Sequence, residues 1–171
     1  DNLYRDRRDI NHDFNANLYA ILKLPFGLEY QMNFTPRYHW YEYMNHESSQ
    51  HPEWAGEGGK SERKNEKTFN WLLDHIVRWK QEFGKDHRVE ATFLFNAEKG
   101  QWWQTVAKNQ QFTPSDVLGY HNIGAGAIPS VSSNDSYKTG DALMGRVFYS
   151  FRDKYLITAS VRRDGYSAFG Q

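Results

Sequence analysis

The side chains of this chain that could do chemistry are histidines, carboxylates and tryptophans. The histidines are His12, His39, His46, His51, His75, His87 and His121. His46 and His51 lie in "NHE" and "HPE", where a folded loop could gather metal ligands. No HExxH or other ligand spacing is present, so solvated loop histidines and no metal are the expectation. The chain has no cysteine, which removes disulfide frameworks and thiolate metal sites. It has no Gly-x-Ser-x-Gly, and no catalytic pair stands out among its 21 acidic residues. The residues therefore give no support for an enzyme and imply no cofactor. Trp54, Trp102 and Trp103 are candidates of another kind. Aromatic rings stack on sugar faces, so a ligand-binding role is one reading and loop packing is the other.

The elements that would position these residues repeat with period two. From Phe26, the residues Leu28, Tyr30, Met32, Phe34, Pro36, Tyr38 and Trp40 fall on one face. Glu29, Gln31, Asn33, Thr35, Arg37 and His39 fall on the other. An ordinary globular strand runs about 5–6 residues, and this alternation is much longer. The same pattern precedes it (Phe14 to Leu24) and follows it (Phe69 to Phe83, then Val89 to Ala97). Two further strands are expected at about 142–151 and 155–163. Pro25-Phe26-Gly27, Gly84-Lys85-Asp86 and Arg152-Asp153-Lys154 read as short turns. Long polar stretches, roughly 45–67 and 99–140, read as loops, with "FTPSDVL" starting a short helix capped by Thr113 or Ser115. Counting hairpins places the turns at one end of the strands and the long loops at the other.

Charge and length narrow the class. The 171 residues carry 21 basic and 21 acidic side chains, a balance that argues against nucleic acid. No run of about 18 apolar residues exists, so no membrane-spanning helix is expected. A membrane β-barrel remains open, because its strands are apolar on one face only. Trp71 and Phe83, near the ends of one apolar face, span roughly 30 Å of height at about 3.3 Å per residue and a tilt near 40°. That spacing suits interfacial aromatic girdles. The competing reading is a soluble β-rich glycan-binding or adhesion module, with the apolar faces forming its core. Six strands cannot close a wide barrel, and open edges are not tolerated in lipid. The chain start at Asp1 and the stop after a strand-like run are read as those of a fragment.

The segment "GRVFYSFRDKYLITASVRRDGYSAFG" resembles the SusC/RagA family of TonB-dependent outer-membrane transporters. Gly145, Arg146, Tyr149, Asp153, Lys154, Tyr155, Leu156, Thr158, Arg162, Asp164, Gly165, Ser167, Phe169 and Gly170 match the family's segment, while Tyr166 and Ala168 depart from it. "TFNWLLDHIVRWKQEFGKDHRVEATFLFNAEKGQWW" looks like the family's hairpin before a long external loop, and "FTPSDVLGYHNIGAGA" is similar to the loop segment that follows. Residues 1–66 fit by strand pattern only.

The resemblance implies an all-β fold, about six antiparallel strands of a 22-stranded transmembrane barrel, with long extracellular loops and short periplasmic turns. Residues 1–171 would all belong to one barrel domain, with the plug and TonB box outside this chain. The resemblance further implies active import of glycans or oligopeptides across the outer membrane of a Gram-negative cell, in the Bacteroidota. The implied partners are outer-membrane lipid, a SusD-like surface lipoprotein that lids the barrel, and the TonB complex, engaged through the missing N-terminal part. On this reading Val147, Tyr149, Ile157, Ala159 and Val161 face lipid, and Arg146, Thr158, Ser160 and Arg162 face the lumen or plug. In the full-length protein, Val147→Arg is expected to weaken the barrel by about 2–4 kcal/mol, the cost of a mid-bilayer arginine on the lipid face. Arg146→Leu should be tolerated far better, and equal yields of the two variants in the outer-membrane fraction would reverse the orientation.

Overall fold

A computed structural model describes residues 2–167. The matching Phe169 and Gly170, and the departing Ala168, lie outside the described residues. Seven strands form one antiparallel sheet: β1 (Arg5–Asn15), β2 (Leu18–Leu24), β3 (Leu28–Glu47), β4 (Lys60–Phe83), β5 (His87–Gln110), β6 (Ser130–Phe151) and β7 (Tyr155–Tyr166). The order across the sheet is β1-β3-β4-β5-β6-β7, with β2 also paired to β3. The sheet does not close, so β1 with β2 and β7 form its two edges. No second layer covers it among the described residues. Among the described residues the buried apolar side chains are Met44, Phe112, Tyr120 and Ala142. Val161 is 74% exposed, Ile157 65% and Phe93 50%, so the apolar faces do not form the core of a sandwich.

The six expected strands are present, with the first divided in two. The division has a backbone cause. β2 pairs with β3 in a register that sets Leu18 opposite Phe34, and the same register sets Ala16 opposite Pro36. The Ala16 N–H donates to the Pro36 carbonyl at 3.1 Å. Proline has no N–H to return the second bond of the pair, so the ladder lapses at Ala16 and Asn17.

The strands run well past the expected ends. β4 and β5 each have 24 residues, about 80 Å at roughly 3.3 Å per residue. Much of the polar sequence read as loop is therefore strand, and only residues 48–59 and 111–129 connect strands on that side. The reason is that these extensions carry too few apolar residues in alternation to mark them as strand. The three short turns form as expected. At Phe26-Gly27 and Arg152-Asp153 the backbone is left-handed at both positions, with φ between 53° and 73°, the pairing that matches strand twist in tight hairpins.

Contacts group the chain into two compact units. One comprises Asp1–Phe14, Tyr38–Phe69 and Gln101–Ser136, and the other Asn15–Arg37, Asn70–Gly100 and Tyr137–Gln171. The first contains both long connections, which bind one another. Phe112 N–H donates to Gly58 O at 3.0 Å, Gln111 N–H to Glu57 O at 3.1 Å, and Ser49 N–H to Asp116 Oδ2 at 2.6 Å. The Tyr120 hydroxyl donates to Asp6 Oδ2 at 2.7 Å. Gly119, at φ +47°, lets the chain pass within 2.6 Å of His46 Cγ at the point a Cβ would occupy. The expected helix start is displaced. The 3₁₀ turn spans Gly119–Ala125 and has no side-chain cap, while the Ser115 hydroxyl accepts only a local bond from Val117 N–H at 3.2 Å.

Glu47 closes this first unit at the strand end. Its carboxylate meets Arg5 Nη2 at 2.6 Å and Lys60 Nζ at 3.0 Å. Burial acts to raise its pKa, but the hydrogen bond and charge of Lys60, then those of Arg5, outweigh burial and hold it below the ordinary carboxylate range. Asp116 is likewise held down, burial being outweighed by the Ser49 backbone and side chain.

Two tests follow from this packing. A Cβ at residue 27 would lie 1.9 Å from the Lys80 carbonyl oxygen, while at Gly84 nothing lies within 4 Å. Gly27→Val should prevent the full-length barrel from reaching its heat-resistant form on gels, whereas Gly84→Ala should cost about 1–2 kcal/mol of left-handed strain and still fold. A depressed carboxylate pKa contributes stability that is present above the unfolded value of about 4.3 and lost as pH falls through the folded value. Amide protection across 48–59 should thus hold from neutrality to about pH 5 and fall in more acid solution, with Glu47→Gln reducing that dependence.

Candidate functional site

Neighbouring residues of a strand point to opposite faces, so Trp102 and Trp103 in β5 cannot line one surface. The structure separates them. The Trp102 Nε1–H donates to Glu66 Oε1 at 2.8 Å, and Gln104 Nε2 donates to Glu66 Oε2 at 3.2 Å. Lys64 Nζ lies 2.8 Å from the same carboxylate. Trp102 thus belongs to a polar surface of hydrogen-bonding side chains, the kind that meets hydroxyls and amides. Trp103 lies with Tyr38, Phe69, Asn65 and Lys67 around a cavity of about 800 Å³. The Tyr38 ring is 5.4 Å from Trp40 and 6.1 Å from Phe69. This is an aromatic surface with one cation on it.

Trp54 is differently placed again. His51 stacks on its ring at 4.1 Å, and Arg5 and Lys60 lie over the ring at 5.3 and 5.2 Å. Those two cations are the ones that hold Glu47. The ring thus packs against residues of its own loop and of two strand ends.

Arg146, Thr158, Ser160 and Arg162 share one face of the β6–β7 pair. Arg146 stands opposite Ser160, Phe148 opposite Thr158 and Met144 opposite Arg162, and directly opposed residues lie on the same face. The Arg162 guanidinium donates to both oxygens of Asp164, at 2.7 to 3.0 Å. The reverse face pairs Val147 with Ala159 and Tyr149 with Ile157. There Val77, Trp79 and Phe93 join Gly145, Val147 and Ala159 around a second, largely apolar hollow of about 430 Å³. In the same unit the opposite character recurs on charged groups. Arg78 donates to Glu29 and Gln31 at 2.9 and 2.8 Å, and Asn96 donates to Asp74 at 2.6 Å.

His39, His46, His51, His75 and His87 have hydrogen-bond or ring partners, while His12 and His121 are exposed. His51 is buried against Trp54, and His46 Nδ1 lies 2.8 Å from Ser61 Oγ with Nε2 at 3.6 Å from Asp116. A serine, a histidine and an aspartate in contact have the composition of a hydrolytic triad. Ser61 is only 3% exposed, however, so no substrate carbonyl reaches it. His75, which interrupts an apolar face, is stacked between Tyr30 and Phe95 at 6.0 Å each and meets the Tyr30 hydroxyl at 2.6 Å. His39 meets Asp13 at 2.7 Å, and His87 meets the Tyr149 hydroxyl at 2.7 Å. Among the described residues no group of three or more potential ligands could hold a metal ion. Sequence reasoning missed the Glu66 cluster and the His46 contacts, since both join strands or loops far apart in the chain. Alternation along β5 alone would have separated the two tryptophans.

No protein-family model matches the chain. It is 29% identical over 128 residues to TonB-dependent receptor P26 of Formosa agariphila, covering 71% of this chain and 13% of that protein. It is 27% identical over 169 residues to TonB-dependent receptor P3 of the same organism, covering 92% of this chain and 16% of that protein. The chain therefore spans less than a fifth of the length of these relatives. Among solved structures, the RagAB peptide transporter superimposes with a TM-score of 0.83 over 99% of this chain and 19% of its own, at 17% identity. RagAB in its closed-closed state gives 0.82 over 96% of this chain, at 14% identity. At such identities the structural likeness establishes the fold. With its open antiparallel sheet and segregated turns and loops, the chain has the fold of a stretch of the RagAB transporter barrel and is similar in sequence to TonB-dependent receptors.

Proposed function

We propose that the protein to which this chain belongs imports large nutrients, glycans or oligopeptides, across the outer membrane of a Gram-negative cell, driven by the TonB complex. One observation carries the reading. A single sheet with apolar side chains exposed and two edges unpaired superimposes on a barrel transporter over 99% of its length. Backbone at such edges needs further strands in hydrocarbon, and a larger barrel supplies them. The relatives are named as receptors and the structural neighbour as a peptide transporter, which supports transport rather than enzymatic chemistry. A SusD-like surface lipoprotein acting as lid is part of the proposal, as is engagement of TonB through a segment outside this chain.

In this proposal the face of Arg146, Thr158, Ser160 and Arg162 points to the lumen or plug. Its polar and cationic groups then meet water or the plug instead of hydrocarbon. Trp102 is the aromatic with access to a passing solute, because its hydrogen-bonded indole sits on a polar surface. Trp54 and Trp103 act in packing and at the outer aromatic surface.

Uptake of labelled oligosaccharides and oligopeptides by intact cells tests the proposal. Deletion of the full-length gene, or loss of TonB, should abolish uptake of at least one class while barrel-independent uptake continues. Trp102→Ala should lower that uptake about fivefold, the value of one aromatic stacking contact of roughly 1 kcal/mol, and Trp54→Ala should not. Uptake indifferent to TonB would overturn active import.

A further inference from the structure

Cationic groups in the first unit divide into two kinds. Lys60 is paired with Glu47 at 3.0 Å, Lys64 with Glu66 at 2.8 Å and Lys108 with Glu62 at 3.1 Å. Lys67 has no carboxylate within 4.0 Å among the described residues. Its Nζ lies 5.1 Å from the centre of the Trp40 ring and borders the 800 Å³ cavity of Tyr38, Phe69 and Trp103. A cation on an aromatic face keeps most of its charge and its three N–H donors for a further partner. In the other unit Lys99 lies likewise over Tyr137 at 5.7 Å, again with no carboxylate partner among the described residues. Glu42 follows Trp40 on this face of β3 by alternation, and Arg63 precedes Lys67 on that of β4. Their charges offset, and Lys67 remains in excess.

We propose that this cavity is a lipid site: Lys67 binds a phosphate on the headgroup of an outer-leaflet lipid, and acyl chains lie against Tyr38, Phe69 and Trp103. The inference rests on the outer-membrane reading above. The occupant follows from the surface itself. A wall of aromatic rings takes hydrocarbon, and a single unneutralised ammonium at its border takes an anion, so one molecule bearing both satisfies the site. The cavity belongs to the unit that contains the two long connections, the end read as extracellular. Asn65, at the same border, adds amide donors that suit phosphate oxygens or sugar hydroxyls.

Full-length receptor extracted from outer membranes tests the site. Native mass spectrometry would follow retention of phosphorylated lipid A, of the same lipid after dephosphorylation, and of inorganic phosphate. Wild type should hold the phosphorylated lipid about tenfold more tightly than the dephosphorylated one, the size of one charge-assisted contact. Lys67→Gln should remove that preference, Lys67→Arg should keep it, and Lys64→Gln, on the opposite surface, should leave it unchanged. Trp103→Ala should weaken both lipids alike. Heat-modifiable migration of each variant confirms that the barrel has formed. Equal retention of the two lipids by wild type, or a preference indifferent to Lys67, would overturn the site. So would inorganic phosphate displacing the lipid. A wild-type receptor missing from the outer-membrane fraction would instead overturn the membrane reading itself.

Discussion

A peptide group in hydrocarbon finds no water to bond, so a sheet in a membrane has to pair its backbone within itself or with further strands. The architecture of this chain follows from that constraint. Strands are joined in sequence by tight turns on one side and two longer connections on the other, and each interior strand is bonded on both sides. The lapse at Ala16 and Asn17 arises where Pro36 cannot donate, in the pair with the first edge strand. At the two edges the ladder is unfinished. In the complete barrel other strands finish it, which is why a 171-residue chain has a sheet of this size and so small a buried core.

With the backbone satisfied, side chains are free to divide by solvent. In the second unit Trp79, Phe93, Val147 and Ala159 share one side, while Arg78, Glu29, Asp74 and Asn96 pair on the other. Charge neutralisation on the polar side is local: each carboxylate named here has a basic or amide partner within about 3 Å. Exposed pairs of this kind add little stability singly. Their effect is to make a surface of paired charges without a strong net field.

The loop side has a different basis. There the two long connections hold one another through backbone bonds and through Asp116, Glu47 and Tyr120. Glycine at 119 lets the chains approach closely. This part of the molecule is a packed structure with buried polar groups rather than a pair of mobile loops. His46, His51 and Trp54 make contacts within it.

The sequence by itself determined the strands that alternate between two solvents, the positions of all three short turns, and the side of the sheet each alternating residue takes. Period two is a local property, imposed by the pleat and by unlike media on the two faces, and it can be read from residues such as Leu28 to Trp40. The motif around Gly145 to Ser167 carried the resemblance in the same local way. Tertiary structure decided what has no local signature. Lys60 to Thr68 and Gln101 to Gln110 are strand although their composition reads as loop, because their partners across the sheet, not an apolar face, hold them extended. The contacts of His46 with Ser61 and Asp116, the cations over Trp54, and the meeting of Glu66 with Trp102 depend on segments distant in the chain. Only the pairing register brings them within bonding distance.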